Sequence, residues 1–489
     1  MLAIALTLLL SCAENNNTAE NTTADPTANY QENEDFSDVI TEAGRILPNL
    51  PEMDFGGYVF TYLTPIYNNL DWVNPTPIEI IAEEEDGEPV NDAVFRRNLV
   101  IKERFNIDIR MLSNLDERAT LRRAVQAGDD IYDAVIMFNN NVPGIVADNV
   151  LLNIADLIYI DTEKPWWDDA VNSLSIMNQN YFLAGDILIL DNKATNALLF
   201  NKRLMTDLGF DLPYDLVREG KWTMDVLYGF VSQASRDLNG DGLLDGRSTP
   251  HDDQFGFLTM NDALHAFLVG GGGALALKDE NDIPFMTVTA PRNIEIFERA
   301  MDFFNPLYTV NIQNMTVPYD NTYHRNFEEG RTLFMWARMR VVEMFRGMED
   351  DFGIVPLPKF DEQQESYHSA VNNFTGVLLG VPLISSDPDR TSIILEALAA
   401  ESRYTLQPAY YDIALTRKYA RDEESEEMLD IIFSTRVYDI GAVYSFGDIF
   451  LNYIMLARTG QRNLTSFYER HSARMQRDID RIIDIFHDR

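Results

Sequence analysis

From about residue 58 onward, apolar residues form short continuous runs separated by stretches in which they recur at helical spacing. The short runs are rich in β-branched and aromatic residues, as strands are. The strand-like runs are "YVFTYL" (58–63), "IDIRML" (107–112) and "YDAVIMF" (132–138), and the helical ones are "VNDAVFRRNLVIKERFN" (90–106) and "ATLRRAVQAG" (119–128). Strands that alternate with helices predict an α/β fold with a largely parallel sheet.

This pattern also predicts where a ligand would lie. In open α/β sheets, ligands bind beyond the carboxyl ends of the strands. Phe138, Asn139 and Asn140 end or follow the apolar run "YDAVIM". We therefore expect these three residues to face a cleft.

The first residues are typical of an exported lipoprotein. The apolar run "MLAIALTLLLSC" (1–12) ends at Cys12, the only cysteine of the chain, and is too short to span a bilayer. It resembles a bacterial lipoprotein signal, in which that cysteine carries lipid. The next stretch, within residues 13–51, is acidic, rich in amides and poor in apolar residues, so it predicts a disordered tether.

The charge excludes several partners. The chain has 489 residues, with 39 basic and 78 acidic side chains and a net charge of −39. Nucleic acids and anionic membrane surfaces require clusters of Lys and Arg, so we expect neither as a partner, and membrane contact only through a lipid anchor. A single cysteine allows no intramolecular disulfide.

The stretch "RDLNGDGLLDG" (236–246) resembles half of a calcium-binding loop. Asp237, Asn239, Asp241 and Asp245 supply oxygen ligands at the required spacing, with Gly242 at the turn. Ser248 stands where the acidic closing ligand belongs, and an ordinary Asx-rich turn would have the same composition. The loop predicts a structural Ca²⁺ site, with the plain turn as the alternative.

Several longer segments, taken in order, resemble the extracellular solute-binding proteins of carbohydrate ABC transporters. They include "DDIYDAVIMFNN", "KPWWDDAV", "NYFLAGD", "LLFNKRLMTDLGF", "NFEEGRTLFMW" and "DFGIVPLPKF". The resemblance is to the maltose-binding-protein-like branch, in its Gram-positive lipoprotein form, and extends from about residue 58 to the C-terminus. It implies a type II periplasmic-binding-protein-like fold, with two lobes and a hinge between them.

The resemblance also implies domain boundaries. Residues 52–188 and 360–410 would form the first lobe, and residues 189–359 and 411–489 the second. The chain would cross between the lobes at 181–202, at 351–360 and near 404–415. The last helix, expected at 465–486, has an apolar stripe and should belong to the core.

Candidate ligand contacts follow from sugar chemistry, because sugar hydroxyls bind planar polar side chains and sugar rings stack on aromatic ones. Asp186 and Asp191 lie on the first crossing, although hinge carboxylates also cap helices. The other candidates implied by the resemblance are Trp72, Trp336, Arg338, Asn372 and Asn373. Trp166 and Trp167 form a pair for which a structural role is the favoured interpretation, and Trp222 is expected to pack in the core.

The sequence therefore predicts a non-enzymatic, monomeric extracellular lipoprotein that captures a sugar or oligosaccharide for an ABC permease. A surface carbohydrate adhesin or a sensory co-receptor could use the same fold, so both stay open. A secreted glycoside hydrolase would need a pair of carboxylates across a sugar site, which 78 acidic residues do not exclude. The chain has no HExxH or GxSxG motif.

Overall fold

A computed structural model describes residues 39–40, 44–66, 79–316, 324–411 and 423–487. Cys12 and Trp72 lie outside the described residues. The first of two large sheets has four strands, in the spatial order Val377–Gly380, Ala134–Phe138, Tyr58–Pro65 and Ile107–Asn114. The last three are mutually parallel, whereas Val377–Gly380 runs antiparallel to its neighbour.

The second sheet has five strands and is mixed. Its order is Thr309–Asn311, Phe255–Thr259, Thr332–Arg338, Asn196–Asn201 and Phe352–Val355. The first three are parallel, and the last two add antiparallel pairs. The predicted α/β class is confirmed, although both sheets are less parallel than the sequence pattern indicated.

Helices cover the sheets, and those predicted at 90–106 and 119–128 are present as Pro89–Phe105 and Glu117–Ala127. The helix Pro89–Phe105 begins with a proline, which lacks the N–H that a first turn leaves unpaired, and ends at Asn106 in the left-handed conformation. The α-helices are Pro89–Phe105, Glu117–Ala127, Val142–Asp148, Leu190–Ala194, Lys202–Asp207, Tyr214–Arg218, Met224–Ala234, Ala263–Gly270, Pro291–Ala300, Arg325–Glu328, Pro388–Tyr404, Leu406–Pro408, Glu423–Ser434, Ile440–Val443, Ile449–Thr459 and Leu464–His487. Within the described ranges, no helix is long and apolar enough to cross a membrane.

Short strands mark the connections between the two sheets. Ser369–Ala370 pairs in parallel with Arg436–Val437, and Thr195 bridges Val371 just before the strand Asn196–Asn201 begins. These contacts join the first crossing to the segments at 369–371 and 436–437. We refer to the region in which they meet as the hinge.

The core comprises two apolar clusters: the smaller packs on one face of the first sheet, and the larger extends from the other face of that sheet through the second sheet. Trp222 is fully buried in the larger cluster, where its indole N–H donates to the carbonyl of Pro356 at 2.9 Å, so its predicted packing role is confirmed. The C-terminal helix Leu464–His487 buries Met475 and Ile479 with Ile482, as the apolar stripe predicted.

Candidate ligand-binding cleft

Asn139 lies at the carboxyl end of a first-lobe strand, where the sequence predicted a ligand contact. It is fully buried, in a short 3₁₀ turn at 139–141. Its backbone N–H donates to Gly376 at 3.0 Å, but both polar atoms of its side-chain amide have no hydrogen-bond partner in the described structure. A buried amide without partners costs free energy, so its bonding is ordinarily completed by a protein group, an ordered water or a ligand.

Gly376 makes this close approach possible. A Cβ at this position would lie 2.6 Å from the Asn139 amide nitrogen and 2.8 Å from the carbonyl oxygen of Asn372. Only a residue without a side chain fits between the strand end and the hinge. The neighbouring candidates differ in exposure, since Phe138 is half-buried and Asn140 is exposed on the same turn.

Asn372 joins the hinge to the second lobe. Its amide nitrogen donates to the carboxylate of Asp262 at 3.0 Å, and its amide oxygen accepts from the hydroxyl of Thr375 at 3.1 Å. Asp262 precedes the helix Ala263–Gly270 and is buried. A continuous polar path therefore runs from Asn139 past Gly376 and Asn372 to a second-lobe carboxylate.

Asn373 adds a second incompletely bonded amide beside this path. Its nitrogen donates to the carbonyl of Ala442 at 3.0 Å, whereas its buried oxygen has no partner in the described structure. Asn196, at the start of a second-lobe strand, likewise has a buried amide oxygen without a partner there. The interlobe region thus contains three buried amides with unused bonding capacity, those of Asn139, Asn196 and Asn373.

Trp336 and Arg338 lie at the end of the central second-lobe strand. Trp336 is fully buried, and the Arg338 guanidinium, itself 1% exposed, lies 5.9 Å from its ring. In this conformation Trp336 presents no open ring face, which differs from the expected stacking platform. The ring projects from the central strand of the five-stranded sheet into the larger apolar cluster, where other side chains pack around it.

Asp186 and Asp191 are part of a buried charge cluster in the hinge rather than free ligand contacts. Asp186 pairs with Arg403 at 3.1 Å, and Arg436 lies 3.6 Å from Asp191 and 2.9 Å from Asp168. Burial raises the pKa of Asp191 to about 7, against the opposing effect of Arg436. Burial likewise raises the pKa of Asp186 to about 6, against the effect of Arg403. The cluster ties the first crossing to the strand Arg436–Val437.

Lys193 forms a second charged link across the hinge. Its ammonium lies 2.9 Å from Glu79, beside the first sheet, and 3.7 Å from Glu343 in the second lobe. Burial lowers the pKa of Lys193, but the two carboxylates outweigh it and raise the pKa above its usual value. The lysine therefore stays charged and connects both lobes through one crossing segment.

Trp166 and Trp167 have the structural role that the sequence favoured. Both are buried, and their indole N–H groups donate to the two carboxylate oxygens of Glu396, at 3.0 and 2.7 Å. Burial raises the pKa of Glu396 to about 8, although these two hydrogen bonds lower it. The pair anchors the helix Pro388–Tyr404 to the first crossing.

The loop predicted to bind calcium is closed by its own hydrogen bonds. The Asp237 carboxylate accepts from the backbone amides of Gly240 and Gly242, at 2.7 and 2.8 Å. The Asp245 carboxylate accepts from the backbone amide of Arg247 and from the hydroxyl of Ser248. Among the described residues, no three His, Cys, Asp or Glu side chains converge as a metal site requires. In this conformation these carboxylates accept hydrogen bonds within the loop, and calcium binding stays a prediction.

Several residues of the cleft and hinge were missed by the sequence reasoning. Asp262, Lys193 and Glu343 carry no local motif, and Arg436 reaches Asn192 across 244 positions of the chain. Only the position of Asp262 before an apolar helical run could have suggested a helix N-terminus. The other three depend on long-range packing.

The sequence matches no family model and no curated protein. Solved structures do match in fold. An ABC substrate-binding protein from Listeria monocytogenes in complex with cycloalternan has a TM-score of 0.53 at 10% identity, with 88% of this chain and 99% of that chain covered. The galacto-N-biose-/lacto-N-biose I-binding protein from Bifidobacterium longum, in complex with lacto-N-biose, has a TM-score of 0.54 at 12% identity, with 88% and 98% covered.

A third similar structure is an ABC-transporter solute-binding protein from Thermotoga lettingae bound with α-D-tagatose, with a TM-score of 0.52, 14% identity, and 86% and 100% of the two chains covered. All three are described as binding proteins. At these identities the likeness concerns the fold. The chain therefore has the two-lobe fold of ABC-transporter solute-binding proteins, as the sequence resemblance implied.

Proposed function

We propose that the protein binds a sugar or oligosaccharide between its two lobes and delivers it to the permease of an ABC importer. The observation that carries the proposal is the side-chain amide of Asn139, which is buried without partners at the strand end where α/β proteins bind ligands. Neutral amides that can both donate and accept are suited to hydroxyl groups, which do the same. The sugars in the three similar structures support this ligand class.

The polar path through Gly376, Asn372 and Asp262 supports a ligand that contacts both lobes. A ligand with partners on each side favours the conformation in which the lobes are close, by its differential affinity for that state. The proposed role is reversible capture without catalysis, by a monomer.

A thermal-shift screen over monosaccharides and oligosaccharides, with amino acids and peptides as the comparison, tests the ligand class. A ligand present at about 100 times its dissociation constant stabilises the fold by about 2.7 kcal/mol. We expect at least one sugar to raise the melting temperature, and its effect to be lost in Asn139→Ala. A response to peptides alone would contradict the sugar proposal.

We further propose that the protein is exported and anchored to the outer face of the cell membrane by lipid on Cys12. The apolar run before this residue and the polar stretch after it support the assignment. Cys12→Ala should lose label from a fatty acid precursor and be released into the medium. Ser11→Ala, which keeps the cysteine, serves as the control, and an unlabelled wild-type protein would contradict the anchor.

A further inference from the structure

A cavity outside the cleft lies along the edge of the second-lobe sheet. It has a volume of about 530 Å³ and lies between the residues that flank the edge strand Thr309–Asn311 and the C-terminal end of the helix Ile449–Thr459. This volume is in the range of small-molecule pockets and is much larger than a single ion requires.

The charge of this cavity is opposite to that of the chain. Arg247, Arg458 and Arg462 line it, and none of the described residues that line it is Asp or Glu. The whole chain has 78 acidic and 39 basic residues, so three arginines without a carboxylate among the described lining residues depart strongly from its composition. Such a wall attracts anions.

Two of the three arginines are available to a ligand. Arg462 is held in place, since its guanidinium donates to Asp302 at 2.9 Å and to the carbonyl of Met301 at 3.1 Å. Neither Arg247 nor Arg458 makes an ion pair or a side-chain hydrogen bond within the described part of the chain. Asp245, two residues before Arg247, accepts from the backbone N–H of Arg247 and from the Ser248 hydroxyl rather than from the Arg247 guanidinium.

The remaining walls combine neutral polar groups with an apolar surface. Gln313 and Asn314 line one side, and the Asn314 amide oxygen is buried without a partner in the described structure. Met301 and Phe304 supply apolar contact. The cavity therefore offers cations for an oxyanion, an amide for a hydroxyl group, and apolar side chains for a carbon skeleton.

We propose that this cavity is a second binding site, distinct from the interlobe cleft, for a small phosphomonoester. Arg247 and Arg458 would bind the phosphate oxygens through charge-assisted hydrogen bonds, for which the planar guanidinium is suited. Arg462, whose charge Asp302 compensates, holds the wall between them, and the neutral amides of Gln313 and Asn314 line the side that takes the organic part.

Isothermal titration calorimetry with glucose 6-phosphate, inorganic phosphate and glucose tests the proposal on the full chain. Glucose 6-phosphate should bind saturably and about tenfold or more tightly than glucose, and more tightly than inorganic phosphate. Arg247→Gln combined with Arg458→Gln should weaken binding of the ester by about tenfold or more, whereas Lys at both positions should retain part of the affinity.

A matched control removes the same charge elsewhere. Arg236 and Arg477 are exposed, also make no side-chain ion pair in the described structure, and do not line the cavity. Arg236→Gln combined with Arg477→Gln should change the affinity by less than about twofold. The proposal is overturned if the ester shows no saturable binding, if glucose binds as tightly as the ester, or if the control pair weakens binding as much as the cavity pair.

Discussion

Replacing Asn139 by Leu tests two roles of its side-chain amide separately: its effect on the stability of the ligand-free protein and its contribution to ligand affinity. Both polar atoms of this fully buried side chain have no partner within the described structure. An unsatisfied buried polar group costs about 1–3 kcal/mol, and leucine has a similar shape without that cost. We therefore expect Asn139→Leu to raise the free energy of unfolding of the ligand-free protein by about 1–3 kcal/mol.

The matched control is a buried asparagine whose amide is bonded. Asn293 is 4% exposed, and its amide nitrogen donates to the carbonyls of Ala274 and Thr287, at 2.7 and 2.8 Å. Asn293→Leu would leave both carbonyls without this donor. It should lower the free energy of unfolding by about 2 kcal/mol or more.

Urea unfolding, followed by both circular dichroism and tryptophan fluorescence, measures the two stabilities. Calorimetric titration with the sugar found in the thermal-shift screen measures affinity. Asn139→Leu should lower that affinity by about tenfold or more, since it removes hydrogen bonds of about 1–1.5 kcal/mol each, whereas Asn293→Leu should preserve it. The reasoning is refuted if Asn139→Leu destabilises the protein as much as the control and binds the sugar normally.

Three further predictions concern the hinge and the loop at 236–246. Lys193→Met should destabilise the protein by about 3–5 kcal/mol in urea unfolding, because it leaves Glu79 buried and unpaired. Glu343→Gln should cost less than about 1 kcal/mol, because the Glu343 carboxylate is partly exposed. Equal losses in the two variants would contradict a buried ion pair between Lys193 and Glu79. Burial raises the pKa of Asp191 from 3.8 to about 7, so the native state binds its proton more tightly than the unfolded state does, and the free energy of unfolding should fall as pH rises from about 4 to 7. Asp191→Asn should remove up to about 4 kcal/mol of this pH-dependent loss. A variant with the same pH profile as the wild type would contradict this role of Asp191. If the loop binds Ca²⁺, a chelator should lower the melting temperature without weakening sugar binding, and Asp241→Asn should abolish this effect; a melting temperature indifferent to chelator leaves the plain turn.

The features of the fold that could be predicted are the helices and strands that depend on the local sequence pattern. Apolar spacing located the strand Tyr58–Pro65 and the helix Pro89–Phe105 to within two residues, because each side chain's burial follows its own position in the element. The strand Val377–Gly380 was not predicted, and its place beside Ala134–Phe138 depends on residues far apart in the chain. The segment 351–360, expected as a crossing between the lobes, begins with the strand Phe352–Val355 of the second sheet, within the bounds 189–359 expected for the second lobe.

The candidate site was predictable at strand ends and not in the hinge. Asn139 could be proposed because the residue after a buried strand lies at a fixed edge of the sheet. Trp336 lies near the end of the strand Thr332–Arg338, but whether its ring is open or enclosed depends on the side chains that pack on that face of the sheet, about which its own sequence says nothing. Asp191 was proposed for its place on a crossing, whereas its partner Arg436 is brought to it only by the complete fold.

Small-angle X-ray scattering with and without the bound sugar tests most directly the claim that a ligand is captured between two lobes. The radius of gyration of the wild-type protein should decrease when the sugar identified by thermal shift is added, because a ligand that contacts both lobes favours the closed state. At a sugar concentration that just saturates the wild-type protein, the decrease should be absent in Asn139→Leu and retained in Asn293→Leu. A sugar that binds saturably while leaving the radius of gyration unchanged would contradict capture by closure about the hinge.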